Sequence, residues 1–373
     1  MKKIVLSIAT IAIMTTASMA NETTNSVEIT KAENKSGFLD RIHLKGDLRL
    51  RHEIIEKEGS ASKYRERYRF RYNLNVDITD NILIETAVSS GKGNPTSGNV
   101  TFKDDENIKD YFLGELKIDI VDIKYSFDNS WIRAGKSKHH IYRPIKTQLV
   151  WDNDIRLEGV NYGYKNDSHM IRIGANRVNR ENGYEDGENI NIFLAQYVNT
   201  QKLANAKINL GAGYYYYDGV KGNTVQSSNG FKGNSNAGGL YTEDYGILEA
   251  FGEFKQKDLV AGMPFKAAVT LAYNTLVGND NFGYDISAQL GATKKVGDFK
   301  VAATYRDVQK DAVYGAHNDS DFSGGGTDSN GYYIKGKYKF AKNVDIGAWF
   351  NWSKLGDTER DYHRTQLDVI LKF

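Results

Sequence analysis

The chain of 373 residues contains no cysteine, which removes disulfide frameworks, thiolate nucleophiles and Cys-based metal sites from consideration. Beyond its first residues it also lacks any run of about eighteen consecutive apolar residues, so helical membrane spans are excluded. A mean hydropathy of −0.55 agrees, and proline is scarce, at three residues. An excess of either charge is missing as well. Against 49 basic residues stand 47 acidic ones, whereas a nucleic-acid binder would show a net basic domain. What the chain has instead is 36 glycines, 24 tyrosines and 12% aromatic residues.

The most informative stretch is residues 64–78, Tyr-Arg-Glu-Arg-Tyr-Arg-Phe-Arg-Tyr-Asn-Leu-Asn-Val-Asp-Ile. In a strand, side chains alternate with period 2, so Arg65, Arg67, Arg69 and Arg71 share one face. Tyr64, Tyr68, Phe70, Tyr72, Leu74, Val76 and Ile78 crowd the other, and only Glu66 breaks the pattern. Four adjacent guanidiniums require water, anions or carboxylates, while the aromatic face requires an apolar medium. A strand that separates two solvents is the wall of a transmembrane β-barrel.

The two ends of the chain fit export to a membrane. Lys2 and Lys3, the apolar stretch 4–14 and the small-x-small sequence Ser18-Met19-Ala20 have the form of a cleaved signal, expected over residues 1–20. An uncleaved anchor would need a longer apolar stretch than the one that Thr15, Thr16 and Ser18 interrupt. A polar leader is expected over 21–40 and the barrel over 41–373. Without Lys2 and Lys3 the basic and acidic residues balance at 47 each. At the other end Leu367, Val369, Leu371 and Phe373 alternate with Asp368, Ile370 and Lys372, an amphipathic closing strand that ends on an aromatic residue.

Between the ends, alternation predicts an all-β chain of about sixteen antiparallel strands, or eighteen if two segments are misread. The segments are 42–54, 64–78, 82–89, 121–127, 131–136, 158–165, 170–177, 190–197, 207–217, 245–254, 265–276, 284–292, 299–306, 332–340, 344–352 and 364–373. Residues 131–136 and 190–197 alternate ambiguously. Short connections at 79–81, 128–130, 166–168 and 341–343 interleave with long ones at 91–120, 137–157, 218–244 and 309–331, as short periplasmic turns and long external loops do. Tyr64, Phe127, Trp131, Tyr162, Tyr164, Tyr284, Phe340, Trp352 and Phe373, near strand ends, suit interfacial girdles. In the first strand Lys45, Asp47, Arg49, Arg51 and Glu53 face away from the leucines.

Gly46-Asp47-Leu48-Arg49-Leu50-Arg51, the arginine-rich strand, and Leu149-Val150-Trp151-Asp152-Asn153-Asp154 followed by Glu158-Gly159-Val160 resemble the bacterial putative porin family of Gram-negative outer membranes. The resemblance implies a water-filled diffusion channel, a homotrimer, and a third external loop folded inward as a constriction. On this chain that loop is 137–157, carrying Lys138, His139, His140, Arg143, Lys146, Trp151, Asp152 and Asp154. Folded inward, it would face a basic ladder of Arg49, Arg51, Arg65, Arg67, Arg69 and Arg71, with Asp47 and Glu85 as acidic pore-lining residues. Candidate partners for the ladder are Asp152, Asp154, Glu115, Asp119 and Glu85. These charges could set selectivity, glue the loop to the wall, or do both.

Other chemistry finds little support. Arginines and aromatics lie on opposite faces, whereas single-strand nucleic-acid recognition needs them together. The G-x-x-x-x-G-K match ending at Lys337 is followed by Tyr338 where Ser or Thr should bind magnesium. His139 and His140 are adjacent and have no third ligand spaced nearby, so no metal and no cofactor is expected. A hydrolase would need a Ser, His and Asp set assembled across strands, and His52 alone sits on an apolar face. The expectation is a non-enzymatic outer-membrane porin, embedded in lipid, passing small hydrophilic solutes and ions with an anion bias. A sugar- or carboxylate-specific channel is the alternative, ahead of a hydrolase or a plugged adhesin or scaffold.

Overall fold

The computed structural model describes residues 37–91, 95–102, 116–178, 190–225, 230–356 and 359–373. The expected signal 1–20, the leader up to residue 36 and Glu115 lie outside the described residues.

Sixteen long strands run through the described residues. They are β1 (Ile42–Lys57), β2 (Lys63–Asp77), β3 (Ile82–Ser90), β4 (Leu116–Phe127), β5 (Ser130–Lys138), β6 (Arg156–Lys165), β7 (His169–Arg177) and β8 (Asn191–Lys202). The second half adds β9 (Ala206–Asp218), β10 (Tyr245–Val260), β11 (Met263–Asn274), β12 (Phe282–Gly291), β13 (Phe299–Val308), β14 (Ser329–Ala341), β15 (Val344–Leu355) and β16 (Arg360–Lys372). Each strand pairs antiparallel with its sequence neighbours, and β16 closes the cylinder on β1 with Arg51 opposite Asp368. Closure leaves no unpaired edge, which a sheet in lipid requires.

The polarity of the wall is that of a tube with water inside. Leu44, Tyr64, Ile123, Ile173, Phe193, Leu248, Ile286, Tyr332 and Phe340 are exposed on the outer face, while Arg51, Glu53, Arg69, Asp122, Gln196, Glu253, Asp285, Arg306 and Arg364 are buried on the inner one. Alternation breaks once in β4, where a register shift against Ala87 and Val88 turns both Asp119 and Ile120 inward and leaves Ile118 and Val121 outside. A bulge of this kind re-phases a strand without ending it.

Tight turns at 128–129, 261–262 and 342–343 close one rim; at the opposite rim β3 leads on to β4, β5 to β6, β7 to β8, β9 to β10 and β13 to β14 through longer stretches of sequence. Counted in order, 139–155 is the third external loop, 219–244 the fifth and 309–328 the seventh. The third loop is shorter than 137–157, since Ser137 and Lys138 still pair in β5 and Arg156 and Leu157 in β6. The β8 segment alternates poorly in sequence because both its faces are apolar: Ile192, Leu194 and Val198 are buried, and Phe193 and Tyr197 exposed. Trp131 does not join an outer girdle. Its ring lies among His140, Arg133 and Arg172 and covers Gly163, where a Cβ would stand 2.2 Å from Cε2 of the indole.

A hydrophobic core sits inside the barrel. Ile141, Leu149, Val150, Trp151 and Ile155 of the third loop pack with Val220 and Tyr241 of the fifth, Ala312, Val313 and Tyr314 of the seventh, and inward-facing Tyr215, Tyr217, Tyr245 and Ile247. Three loops thus bury one another within the wall.

Candidate functional site

On β1 and β2 the alternating pattern brings every ladder arginine to the inner face, and cross-strand register decides its neighbour. Arg49 stands opposite Arg69 and Arg51 opposite Arg67, an arrangement of like charges that costs stability unless carboxylates intervene. They do. Asp47 accepts from Arg69 Nη2 at 2.8 Å and from Arg71 Nε at 2.9 Å. Glu53, fully buried, accepts from Arg65 Nε at 2.7 Å, Arg67 Nη1 at 3.4 Å, and Arg364 of β16 at 2.5 Å. Asp368 of β16 takes Arg51 bidentately, at 2.7 and 2.8 Å, and lies 3.8 Å from Arg49. Bidentate pairing holds a guanidinium plane rigidly, which lysine would not do.

The third loop leaves this wall and crosses to the far one. Near its C-terminal end Asp154 accepts from Arg71 Nη1 at 3.3 Å. At its other end Tyr142 donates its hydroxyl to Glu253 on β10, Ile145 N donates to the same carboxylate at 3.2 Å, and Thr147 donates to Asp285 on β12. The segment Pro144–Lys146 rests against β10, β11 and β12. From β2 to β12 the loop therefore spans the interior, and it narrows it.

Within the loop the remaining residues hold it together. Arg143 Nη1 donates to the carbonyls of Trp151 at 2.7 Å and Thr147 at 3.3 Å. His139 Nε2 bonds the Asp152 carbonyl at 3.0 Å and stacks on Trp151, which is wholly buried. Burial and the Arg143 and Arg156 charges keep His139 well below its ordinary pKa, and burial with Arg133 and Arg172 takes His140 down to about 3. Asp152 N donates to His317 O at 2.7 Å, and its carboxylate accepts from Ser320 N at 2.9 Å, both in the seventh loop. Burial first, then the charges of Asp154 and Asp319, push the Asp152 carboxyl up.

Several expected partnerships are corrected. Asp152 meets the seventh loop and not the ladder; Glu85 accepts from Arg133 at 3.1 Å, and Asp119 from Arg156 at 2.8 Å. Arginines two strands along the wall, on β5 and β6, claim these two carboxylates first. Lys138 ends β5, and Trp151 and His139 lie in the loop's packed interior and not on a water-facing surface. Lys146 is exposed at the loop tip. Sequence reasoning missed Arg364, Asp368 and Asp321, which complete the ladder, and the buried Arg306, which pairs Asp285 at 2.7 Å and Asp319 at 3.2 Å. Alternation alone marks Arg364 and Asp368 as inward, on the side of the closing strand opposite Leu367 and Val369. Among the described residues no histidine bonds a serine hydroxyl: His43, His52, His169 and His317 bond Asp77, Glu66, Tyr197 and Tyr217.

A closed sixteen-strand barrel with a polar interior, an apolar exterior and a loop folded into its lumen defines a porin channel. The chain belongs to the family described as "Putative porin", which it matches over residues 55–243 and 252–373. Among curated proteins none matches. Solved porins share the fold. Pseudomonas putida OprB superposes with a TM-score of 0.60 at 10% identity, covering 90% of this chain and 95% of that one. A mutant of the Rhodopseudomonas blastica porin gives 0.52 at 12%, covering 89% and 100%. Salmonella typhi OmpF, in complex with daunomycin, gives 0.53 at 10%, covering 89% and 97%. The protein is an outer-membrane porin.

Proposed function

We propose that the protein is a passive, non-catalytic diffusion channel for small hydrophilic solutes and ions in the outer membrane of a Gram-negative bacterium, exported by removal of residues 1–20 and assembled as a homotrimer. The observation that carries the reading is the third loop's path from Arg71 on β2 to Asp285 on β12, which narrows a charged lumen between two rigid walls. The ladder Arg49, Arg51, Arg65, Arg67, Arg69 and Arg71 forms one face of the passage. Nε of Arg49, Arg67 and Arg69 is buried with no acceptor among the described residues, so the carboxylates do not satisfy the ladder completely and part of its positive charge stays uncompensated. Because Asp47, Glu53 and Asp368 already neutralise much of the ladder, the anion bias is modest.

Conductance in planar bilayers tests this. Under a salt gradient the reversal potential should indicate weak anion preference, and replacing Arg67 and Arg69 together by glutamine should move it toward cations. An unchanged potential would remove the ladder's role in selectivity. A solute-specific channel is the second reading, favoured by the apolar core of three loops that occupies part of the interior. Conductance that saturates with a sugar or carboxylate would decide for it.

A further inference from the structure

The wall that runs from β10 round to β16 is lined at its tight-turn end with lysine, and the reading above makes no use of it. Lys255 on β10, Lys266 on β11, Lys300 on β13, Lys337 and Lys339 on β14 and Lys372 on β16 all lie in the periplasmic half, near the tight-turn rim. Their phase is inward, shared with buried Glu253, Ala268, Thr304, Tyr333 and Gln366 at even spacing along the same strands. Lys255 stands directly opposite Lys266, and Lys300 directly opposite Lys337. Like charges in register weaken a sheet, so strength alone does not account for them.

The third loop adds one more cation. Its tip passes through two consecutive non-glycine residues in the left-handed region, Ile145 at φ 48° and Lys146 at φ 62°. Such a conformation persists where the surroundings over-determine it, and here Glu253 and Asp285 grip the loop on both sides of the tip. The turn delivers Lys146 into the field of Lys300, Lys337 and Lys372.

Only two carboxylates pair with this group among the described residues. Glu253 lies 3.0 Å from Lys255, and Asp345 is shared by Lys337 at 2.8 Å, Lys339 at 3.2 Å and Lys372 at 2.6 Å. Lys146, Lys266 and Lys300 make no ion pair there. The contrast with the other wall is chemical as well as numerical. Arginines locked in bidentate pairs are spoken for, whereas flexible ammonium groups sharing one carboxylate can exchange it for a passing anion.

We propose that Lys146, Lys266, Lys300 and Lys337, with Asp345 as resident counter-charge, form a transit site for a multivalent oxyanion of the phosphate or sulfate kind, on the periplasmic side of the third loop. The site rests on the channel reading above and names its solute class. Two negative charges on one small anion engage several lysines at once, where chloride engages them singly. Binding by hydrated, mobile ammonium groups is firm enough to concentrate the anion and loose enough to release it.

The test measures chloride current through single channels first, then its reduction by inorganic phosphate or sulfate. Phosphate is expected to interrupt the wild-type current in a saturable manner that weakens at high ionic strength. Lys300→Gln combined with Lys337→Gln should raise the half-blocking concentration about tenfold. Asp345→Asn, which frees three ammonium groups, should lower it. Absence of block, or equal block in wild type and both variants, overturns the site while leaving the chloride channel intact. A chain that folds and carries no chloride current overturns the channel reading itself.

Discussion

At the residue scale, the carboxylates are the points on which the charged interior depends. Glu53 serves three guanidiniums from two different strands and the Gln366 amide besides. Removing one partner of a buried pair costs about 3–5 kcal/mol, because the charges left behind are uncompensated. Glu53→Gln should therefore lower the temperature at which the folded, compact form is lost on a semi-native gel, and should strengthen anion preference at the same time. Asp152 offers a test by pH. Its carboxyl pKa is raised in the folded loop, so its stabilising contribution is complete below the unfolded value of 3.8 and is lost as pH rises through the folded one. Limited proteolysis at Arg143 and Lys146 should accelerate as pH rises from about 4 to about 8, and Asp152→Asn should abolish the difference. Histidine does not explain such a change, since burial takes His317 down to about 3, where His140 also lies, and both stay neutral throughout. Of these residue-level facts, the inward phase of the arginines was legible from period 2, and so was that of Glu53. Its service to Arg364 was not, because 311 residues separate the two.

At the element scale, the third loop is held by apolar burial as much as by charge. Trp151 is wholly buried between Tyr215, Tyr217 and His317, with ring centroids 5.1 to 6.4 Å apart. Trp151→Ala should cost about 3–5 kcal/mol of packing at this point. The measurable consequence is a larger and noisier single-channel conductance, as the loop loosens from the wall. The triplets Leu149-Val150-Trp151 and Ala312-Val313-Tyr314 were the available signal, apolar runs in otherwise polar loops. They identify segments that must be covered, but not by what. The same uncertainty made residues 190–197 hard to read, since a strand that is apolar on both faces belongs equally to a soluble core or to a barrel wall with packing inside it. The G-x-x-x-x-G-K sequence ending at Lys337 lies in β14, an extended ladder that cannot cradle a phosphate with its backbone.

For the whole molecule, closure is the decisive event. The seam between β16 and β1 places Arg51 on Asp368, and seats Phe373 against Phe70 and Tyr72 over Gly46. Deleting residues 360–373 would leave two open edges in lipid, so that variant should yield no heat-modifiable folded band while the full chain does.

The alternation of apolar and polar residues, read from the sequence by itself, determined that this chain is a barrel wall and roughly where each strand lies, because period 2 is a local property of extended backbone. The pairing of the charges was decided only by tertiary structure. Carboxylates on β1, β3, β4 and β16, with others from two inward loops, compete for the same guanidiniums, and only closure and loop docking settle which of them come within hydrogen-bonding distance.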